Sequence, residues 1–202
     1  CKTGEEVWNA IEAISENRGN LPYDIDGAVV KINRYSDREK LGATSKVPRW
    51  AVAYKYPPEE KESVLREIEL SVGRTGRITP TAVFDPVRLC GTSVSRATLH
   101  NQDFIDELDL GIGDTVVVYK SGEIIPKIKM VKKDMRPSSW MKFKIPDFCP
   151  VCGEKTVKDR DTADMKCINP GCPAQLERNM IHFVGRDAMD IKGFGTVYIE
   201  EL

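Results

Sequence analysis

The spacing of four cysteines in the last third of the chain constrains its fold more than any other feature. Cys149 and Cys152 are separated by two residues and followed by a glycine, and Cys167 and Cys172 are separated by four residues. The pattern C-x2-C-x14-C-x4-C supplies four thiolates, the ligand set of a tetrahedral structural Zn²⁺. We therefore predict a zinc module in which four protein ligands leave no open position for catalysis.

The other cysteines favour a reduced protein. Six cysteines in 202 residues, four of them in two close pairs, indicate metal binding in a reducing compartment, with disulfides as the less favoured alternative. Cys1 and Cys90 have no partner at ligand spacing and are interpreted as ordinary thiols. His182 is a possible substitute ligand, but it lies on the next predicted helix and is better explained as a packing or surface residue.

The composition, with 41% hydrophobic and 30% charged residues, is that of an ordinary globular chain of one or two domains. With a net charge of −1, nucleic-acid binding would depend on a local patch. No run is apolar enough to cross a membrane, and the first residues, CKTGEE, do not resemble a signal peptide. These features predict a cytoplasmic protein without a membrane partner.

Two short apolar runs, residues 25–32 and 50–56, each carry a lysine that hydrophobic packing does not require. Both runs are rich in Val, Ile and Tyr, which predicts strands. Side chains alternate along a strand, so each lysine has small or apolar neighbours on its face: Gly27 and Val29 beside Lys31, and Ala51 and Ala53 beside Lys55. The space above them suits a phosphate or a flat ring. Equally compatible is a pair of edge-strand lysines that discourage aggregation.

Asp26 precedes the first of these strands and lies an odd number of positions from Lys31. A regular strand would place Asp26 on the opposite face, unless Gly27 introduces a bulge or bend. The sequence leaves both arrangements open.

Helical segments are predicted before and between these strands, and a barrel pattern follows them. Residues 3–17 form an amphipathic helix with a capping box of Thr3 and Glu6, and a helical turn is predicted at 36–41. Pro57-Pro58 and a charge run indicate a boundary. Several short strands with one inserted helix then predict a closed barrel of the OB type: strands at 64–70, 78–89, 114–119 and 123–131, and a helix at 101–108.

Two basic segments of this barrel are candidates for nucleic-acid contact. Gly73-Arg74-Thr75-Gly76-Arg77 is a glycine-flanked loop whose backbone can approach a phosphate and whose arginines can grip it. A plain hairpin turn is the alternative. Residues 127–144 hold seven basic residues against Asp134. This excess of positive charge fits either a phosphate-contacting edge or a solvated strand edge.

After the cysteines, residues 174–184 predict a helix, and residues 189–195 predict a glycine-bracketed hairpin before another helix near Thr196. This is the helix-hairpin-helix plan, in which Gly193 and Gly195 would let backbone N–H groups meet a DNA phosphate. Because the chain stops at Leu202 without a helix-stop signal, we expect it to be part of a longer protein.

In order along the chain, several of these segments resemble the bacterial NAD-dependent DNA ligases. The stretches that carry the resemblance are IDGAVVKI, RWAVAYKYP, VGRTGRITPTAVFDPV, SRATLHN, GDTVVVYKSGEIIP, CPVCG, NPGCPAQ and MDIKGFG. The resemblance implies an α+β, multidomain chain. Its parts would be the C-terminal part of an adenylation (nucleotidyltransferase) domain at 1–60, an OB barrel at 61–140, a zinc module at 141–176 and the start of a helix-hairpin-helix domain at 177–202.

The resemblance also implies an activity, the sealing of nicks in duplex DNA with NAD and Mg²⁺ or Mn²⁺. A lysine attacks the α-phosphorus of NAD, AMP passes to the 5′-phosphate of the nick, and the 3′-hydroxyl displaces it. Arg18 and Lys31 would contact the adenylate, Lys55 its phosphate, and Asp26 the metal or reacting groups. The family's nucleophile sits in a K-x-D-G motif that this sequence lacks. We therefore predict that this chain, expected to be a monomer, cannot adenylate itself.

Two other classes compete with this interpretation. A non-catalytic DNA-binding module of barrel, zinc knuckle and hairpin would explain the chain after residue 63 but not the two lysine strands. An ATP-dependent nucleotidyltransferase would explain the lysine strands, and only family analogy with the zinc module argues against it.

Overall fold

The computed structural model describes residues 1–23, 25–122, 124–159 and 162–201. The chain divides into two compact units, Cys1–Glu59 and Glu60–Leu202. The division falls one residue after Pro58. No helix among the described residues is long and apolar enough to span a membrane.

The first unit packs one helix against a two-stranded antiparallel sheet. Its elements are α1 (Gly4–Glu16), a 3₁₀ turn (Arg18–Asn20), β1 (Gly27–Lys31), α2 (Tyr35–Leu41) and β2 (Ala51–Lys55). Both lysine strands and both helices are therefore confirmed. The Thr3 side chain caps α1 by accepting from the Glu6 N–H at 3.2 Å, while the Glu6 carboxylate accepts from the Lys2 N–H. The reciprocal half of the predicted capping box is thus shifted by one residue.

Aromatic side chains join α1 to β2. The rings of Trp8 and Tyr54 meet edge to face at 5.2 Å, and the Tyr56 hydroxyl donates to the Ile11 carbonyl at 3.0 Å. Ile11 and Tyr56 are the buried apolar residues in the described part of this unit. Among the described residues, the opposite face of the sheet exposes Val29, Lys31, Ala53 and Lys55.

The second unit is built on a seven-stranded antiparallel sheet. The strands of the unit, seven of which form this sheet, are β3 (Glu60–Val72), β4 (Arg77–Leu89), β5 (Thr92–Thr98), β6 (Gly111–Ile112), β7 (Thr115–Ser121), β8 (Ile125–Val131), β9 (Met141–Lys142), β10 (Thr156–Lys158) and β11 (Met165–Cys167). The helices of the unit are α3 (Gln102–Leu108), α4 (Pro173–Val184) and α5 (Thr196–Glu200). The sheet runs β10-β11-β4-β3-β7-β8, with β5 also on β4, while β6 pairs with β9. Because β5 lies against β8, the sheet curls into the predicted OB-type barrel. Glu123, the predicted first residue of β8, lies outside the described residues.

Two apolar clusters fill this unit. The first, inside the barrel, is formed by fully buried side chains such as Leu65, Phe84 and Ile105. The second combines the barrel residues Val72 and Ile78 with Ile145 and three of the predicted zinc ligands, Cys149, Cys167 and Cys172. Phe143 packs against both clusters. The cysteine module is therefore continuous with the barrel core.

Candidate functional site

The register of the two-stranded sheet brings Lys31 and Lys55 onto one face. Gly27 pairs with Lys55, and Lys31 pairs with Ala51. Directly paired residues of antiparallel strands point to the same side of a sheet. Both lysines are exposed, beside the small or apolar neighbours that the alternation predicted, so the lysine face offers two ammonium groups over open space.

Gly27 is needed at this position because the strands approach closely there. A Cβ atom at Gly27 would overlap the Tyr54 carbonyl oxygen and meet the Lys55 Cα at 3.2 Å. A side chain would therefore force β1 away from β2 at the residue opposite Lys55.

Asp26 lies with the lysine face, because its carboxylate forms an ion pair with the Lys55 ammonium. The alternation of a regular strand does not extend to Asp26, which precedes β1, although its carbonyl still accepts from the Tyr56 N–H at 3.0 Å. The Lys55 hydrogen bond lowers the pKa of Asp26, and the positive charge of Arg18 acts in the same direction. Asp26 is thus held as a carboxylate.

Arg18 approaches the site from the α1 side of the sheet. Its guanidinium carbon lies 5.9 Å from the centre of the Tyr56 ring, within the range of a cation–π contact. Because Arg18 also contributes to the lowered pKa of Asp26, the structure brings Arg18, Asp26 and Lys55 into one electrostatic group.

The four predicted zinc ligands converge at one point. Their sulfur atoms all lie within 4.8 Å of one another, with Cys149 and Cys172 at 4.0 Å and Cys152 and Cys167 at 3.5 Å. Four Zn–S bonds of about 2.3 Å in a tetrahedron require sulfur separations of about 3.8 Å. The cluster therefore fits one Zn²⁺ with a complete thiolate set. His182 lies on α4 and is not a member of the cluster.

The thiols differ in how readily they lose a proton. Without metal, the N–H of Glu154 helps to lower the pKa of Cys152 to about 7, whereas burial raises that of Cys167 to about 12. Burial also raises the pKa of Cys172. Cys152 therefore loses its proton more readily than Cys167 and Cys172, and these buried thiols become ligands when Zn²⁺ displaces their protons.

The loop Gly73–Arg77 joins β3 to β4 next to the cysteine cluster. Arg74 and Thr75 are exposed at its tip. Arg77 differs from them because its Nε atom lies 3.0 Å from the Oδ2 atom of buried Asp164. The loop is therefore a hairpin turn in which Arg77 forms an ion pair with Asp164 of the cysteine module.

Acidic side chains balance much of the positive charge of the basic segment 127–144, because six of its seven basic side chains form ion pairs among the described residues. The pairs are Lys129 with Glu60, Lys132 with Glu62, Lys133 and Arg136 with Asp109, Lys142 with Asp106, and Lys144 with Asp147. Arg136 also bonds the fully buried carboxylate of Asp114 at 2.9 Å. These acids come from other parts of the second unit, and they favour the interpretation as a solvated, structurally paired edge.

The glycine-bracketed hairpin follows α4 as predicted. Its backbone is closed by hydrogen bonds such as that from the Ile191 N–H to the Val184 carbonyl at 2.9 Å. Gly193 has a φ of 80°, a conformation that favours glycine, and Gly195 directly precedes α5. The two glycines thus lie at the turn and at the start of a short helix.

Sequence reasoning missed two residues that shape these sites. Asp164 is separated from Arg77 by almost ninety positions, and no spacing pattern connects them. The sequence indicates Tyr56 only as the last residue of a strand, yet its ring contacts Arg18 and its hydroxyl donates to the Ile11 carbonyl of α1. In the sequence, a tyrosine at the end of a short strand and directly before two prolines is only a weak signal for such an anchor.

Comparison with known proteins is consistent along the chain. Residues 1–59 match the NAD-dependent DNA ligase adenylation domain, residues 62–140 the NAD-dependent DNA ligase OB-fold domain, and residues 148–174 the NAD-dependent DNA ligase C4 zinc finger domain. Proteins named DNA ligase from Clostridium kluyveri and Acetivibrio thermocellus are 53% and 52% identical over all 202 residues, and that from Clostridioides difficile is 53% identical over 199 residues, 98% of the chain. The chain spans about 30% of the length of each of these relatives.

Proposed function

Because this chain belongs to the NAD-dependent DNA ligase family, we propose that it holds the adenylate on its first unit and the DNA backbone on its second in a nick-sealing reaction. The observation that carries the proposal is the shared open face of Lys31 and Lys55, with Asp26 paired to Lys55. A barrel and zinc module that only bound DNA would not need this face.

On the lysine face, each group has a distinct role in the proposed reaction. Lys31 binds the adenylate, and Lys55 holds its phosphate, where an ammonium stabilises the charge that develops during phosphoryl transfer. Arg18, whose guanidinium lies against the Tyr56 ring, adds a further positive charge near Asp26 and Lys55. The Asp26 carboxylate keeps Lys55 in place when no phosphate is bound and releases it when one arrives.

Asp26 also bears on the proposed Mg²⁺ or Mn²⁺. One exposed carboxylate fits such an ion only as part of a shell completed by water and substrate phosphates, which is how Mg²⁺ is usually held. When bound, the ion would neutralise phosphate charge, and Asp26 would orient it.

The second unit is proposed to bind nicked duplex DNA through its backbone. Arg74, Thr75 and Arg77 form the contacting loop of the barrel, and the backbone N–H groups near Gly193 and Gly195 provide a second phosphate contact. The zinc module holds the segment that connects these two contacts.

The absence of a K-x-D-G motif limits which steps this chain performs. The step that forms the enzyme adenylate needs a nucleophilic lysine in that motif, so this chain alone does not form it. The chain is proposed to act with the remainder of a DNA ligase, as a monomer in the bacterial cytoplasm.

Nucleotide and nick assays test the two halves of the proposal separately. We expect AMP to shift the NMR signals of the first unit, and we expect Lys31→Ala and Lys55→Ala to abolish the shift. Lys46→Ala, which changes an exposed lysine between the two strands, should leave it unchanged. The wild-type chain should bind nicked duplex and, among the sealing steps, support only the one that starts from pre-adenylated DNA.

Each contrary result identifies which part is wrong. A covalent AMP adduct after incubation with labelled NAD and Mg²⁺ would contradict the missing first step. Duplex binding without any AMP response would favour the non-catalytic DNA-binding module. AMP binding that survives both lysine substitutions would move the nucleotide site away from the lysine face.

A further inference from the structure

The cysteine module is hydrogen-bonded to the DNA-contacting loop. Strand β11, which ends at Cys167, pairs with the start of β4, with Lys166 opposite Arg77 and Met165 opposite Ile78. One residue further, the Cys167 N–H donates to the Gly76 carbonyl at 2.9 Å. A zinc ligand and the loop therefore share one stretch of backbone pairing.

Gly76 fits the loop closely against this ligand. Its φ is 78°, and a Cβ atom there would overlap the Cys167 carbonyl oxygen. The Gln175 side chain of α4 holds the same carbonyl by donating to it at 3.0 Å, and it donates to the Asn169 carbonyl at the same distance. The loop conformation therefore depends on where the metal site places Cys167.

A buried charge makes the second connection. Asp164 has 4% of its surface exposed, and its Oδ2 atom accepts from the Arg77 Nε, whereas the Arg77 side chain is 46% exposed. Removing the partner of a buried charge is strongly unfavourable, so this ion pair holds Arg77 firmly. Arg74 and Thr75 lie immediately before it at the exposed tip.

From these contacts we propose that Asp164 is a positioning residue for DNA binding. Through Arg77, and together with the Cys167–Gly76 hydrogen bond, it holds the β3–β4 turn so that Arg74 and Thr75 meet a DNA phosphate in a preset conformation. The proposal rests on the DNA-binding function proposed above and adds that the zinc module acts on DNA through this turn.

The sign of the effect separates positioning from simple electrostatics. Asp164→Asn removes a negative charge, which by charge alone strengthens binding to a polyanion. If Asp164 positions the turn, the same substitution weakens binding. Asp85→Asn is the control for charge, because it makes the same charge change at the exposed Arg66–Asp85 ion pair on β3 and β4.

The experiment measures the Kd of the full 202-residue chain for a nicked duplex as a function of salt concentration. We expect Asp164→Asn to raise Kd about threefold or more, within the range of coupled residues. We also expect it to lower the salt slope by about 1, as the loss of one phosphate contact does. In an Arg74→Ala background, Asp164→Asn should weaken binding much less than it does in the wild-type chain. Asp85→Asn should keep the salt slope of the wild-type chain.

A second measurement does not depend on the folding of a variant. Amide hydrogen exchange of the wild-type chain is compared before and after removal of zinc with a chelator. We expect the Gly76 amide, which bonds the Gly73 carbonyl at 2.9 Å, to lose protection. The strand residues Val83 and Ala82, paired with β3 and β5 further along β4, should keep theirs.

The outcomes are distinguishable. Unchanged or tighter DNA binding by Asp164→Asn, or an additive effect with Arg74→Ala, would overturn the proposal while leaving DNA binding intact. Gly76 protection that does not change on zinc removal would also overturn the proposal. This measurement uses the wild-type chain and so applies even if Asp164→Asn does not fold. Absence of salt-dependent duplex binding by the wild-type chain would instead overturn the proposed function itself.

Discussion

In Cys1–Glu59, one helix lies on two strands, and the described buried apolar residues are Ile11 and Tyr56; in Glu60–Leu202, two apolar clusters run from the barrel into a four-cysteine site. The first unit keeps one sheet face open and positions its side chains by strand register. The second is held by a continuous core and by thiols that converge on one point. The difference shows how one chain can combine a weakly packed unit that keeps an exposed sheet face with a unit that is held by a continuous core.

Metal loss should produce the largest effect and only in the second unit. We expect Cys167→Ser to abolish zinc binding, since structural Zn²⁺ contributes about 10–16 kcal/mol of apparent binding free energy in small zinc domains. Native mass spectrometry measures the bound zinc, and circular dichroism measures the loss of structure. Cys1→Ser, at an exposed cysteine, should change neither. Full zinc occupancy in Cys167→Ser would remove the main distinction between the two units.

Truncation of the barrel core should come next. Phe84 is 2% exposed, so Phe84→Ala should lower the free energy of unfolding by about 3–5 kcal/mol. Urea unfolding of the second unit measures this change. Val29→Ala, on the open face of the first unit where Val29 is 58% exposed, should stay within about 0.5 kcal/mol. Similar costs at both positions would contradict the assignment of the packed and open faces.

Backbone contact in the first unit should give an intermediate effect. Gly27→Ala places a methyl group against the Tyr54 carbonyl and should destabilise the strand pair by about 1–3 kcal/mol. Gly19→Ala serves as the control, because a Cβ atom there meets nothing within 4 Å. The NMR signals of Trp8 and Tyr54, whose rings are in contact, report the unfolding of the first unit. Equal stability of the two variants would show that the strands can separate at Gly27 without cost.

The smallest expected effect is a pH dependence. Because its folded-state pKa lies below the ordinary value of 3.8, Asp26 stabilises the first unit above pH 3.8, and this contribution disappears as the pH falls through the folded-state value. NMR titration should show Lys55→Met returning the pKa of Asp26 toward 3.8. In the second unit, Arg66→Met should do the same for Asp85, whose pKa is lowered by the Arg66 hydrogen bond. If the pKa of Asp26 is the same in Lys55→Met as in the wild-type chain, the ion pair between Asp26 and Lys55 does not form.

Local patterns predicted much of this fold, because periodicity and spacing act over short distances. The apolar stripe of α1, the two lysine strands, the inserted α3 and the cysteine set are all readable from neighbouring residues. The pairing of β11 with β4 joins residues almost ninety positions apart, and no short-range pattern specifies it. The two interpretations of the basic segment stayed open for the same reason, since acids such as Glu60 and Asp106 are distant in sequence from the lysines that they neutralise.

The register of the lysine strands also fixes the distance between Lys31 and Lys55 along the sheet. Lys55 lies opposite Gly27, four positions before Lys31 on the neighbouring strand, and at about 3.3 Å per residue this sets the two backbone positions about 13 Å apart along the sheet. A compact anion cannot easily span that length, whereas an extended molecule with a charged group at one end and a ring at the other can. If the adenylate binds this face as proposed, its competitors should therefore be selected for length as well as charge, and inorganic phosphate should compete only for the Lys55 end.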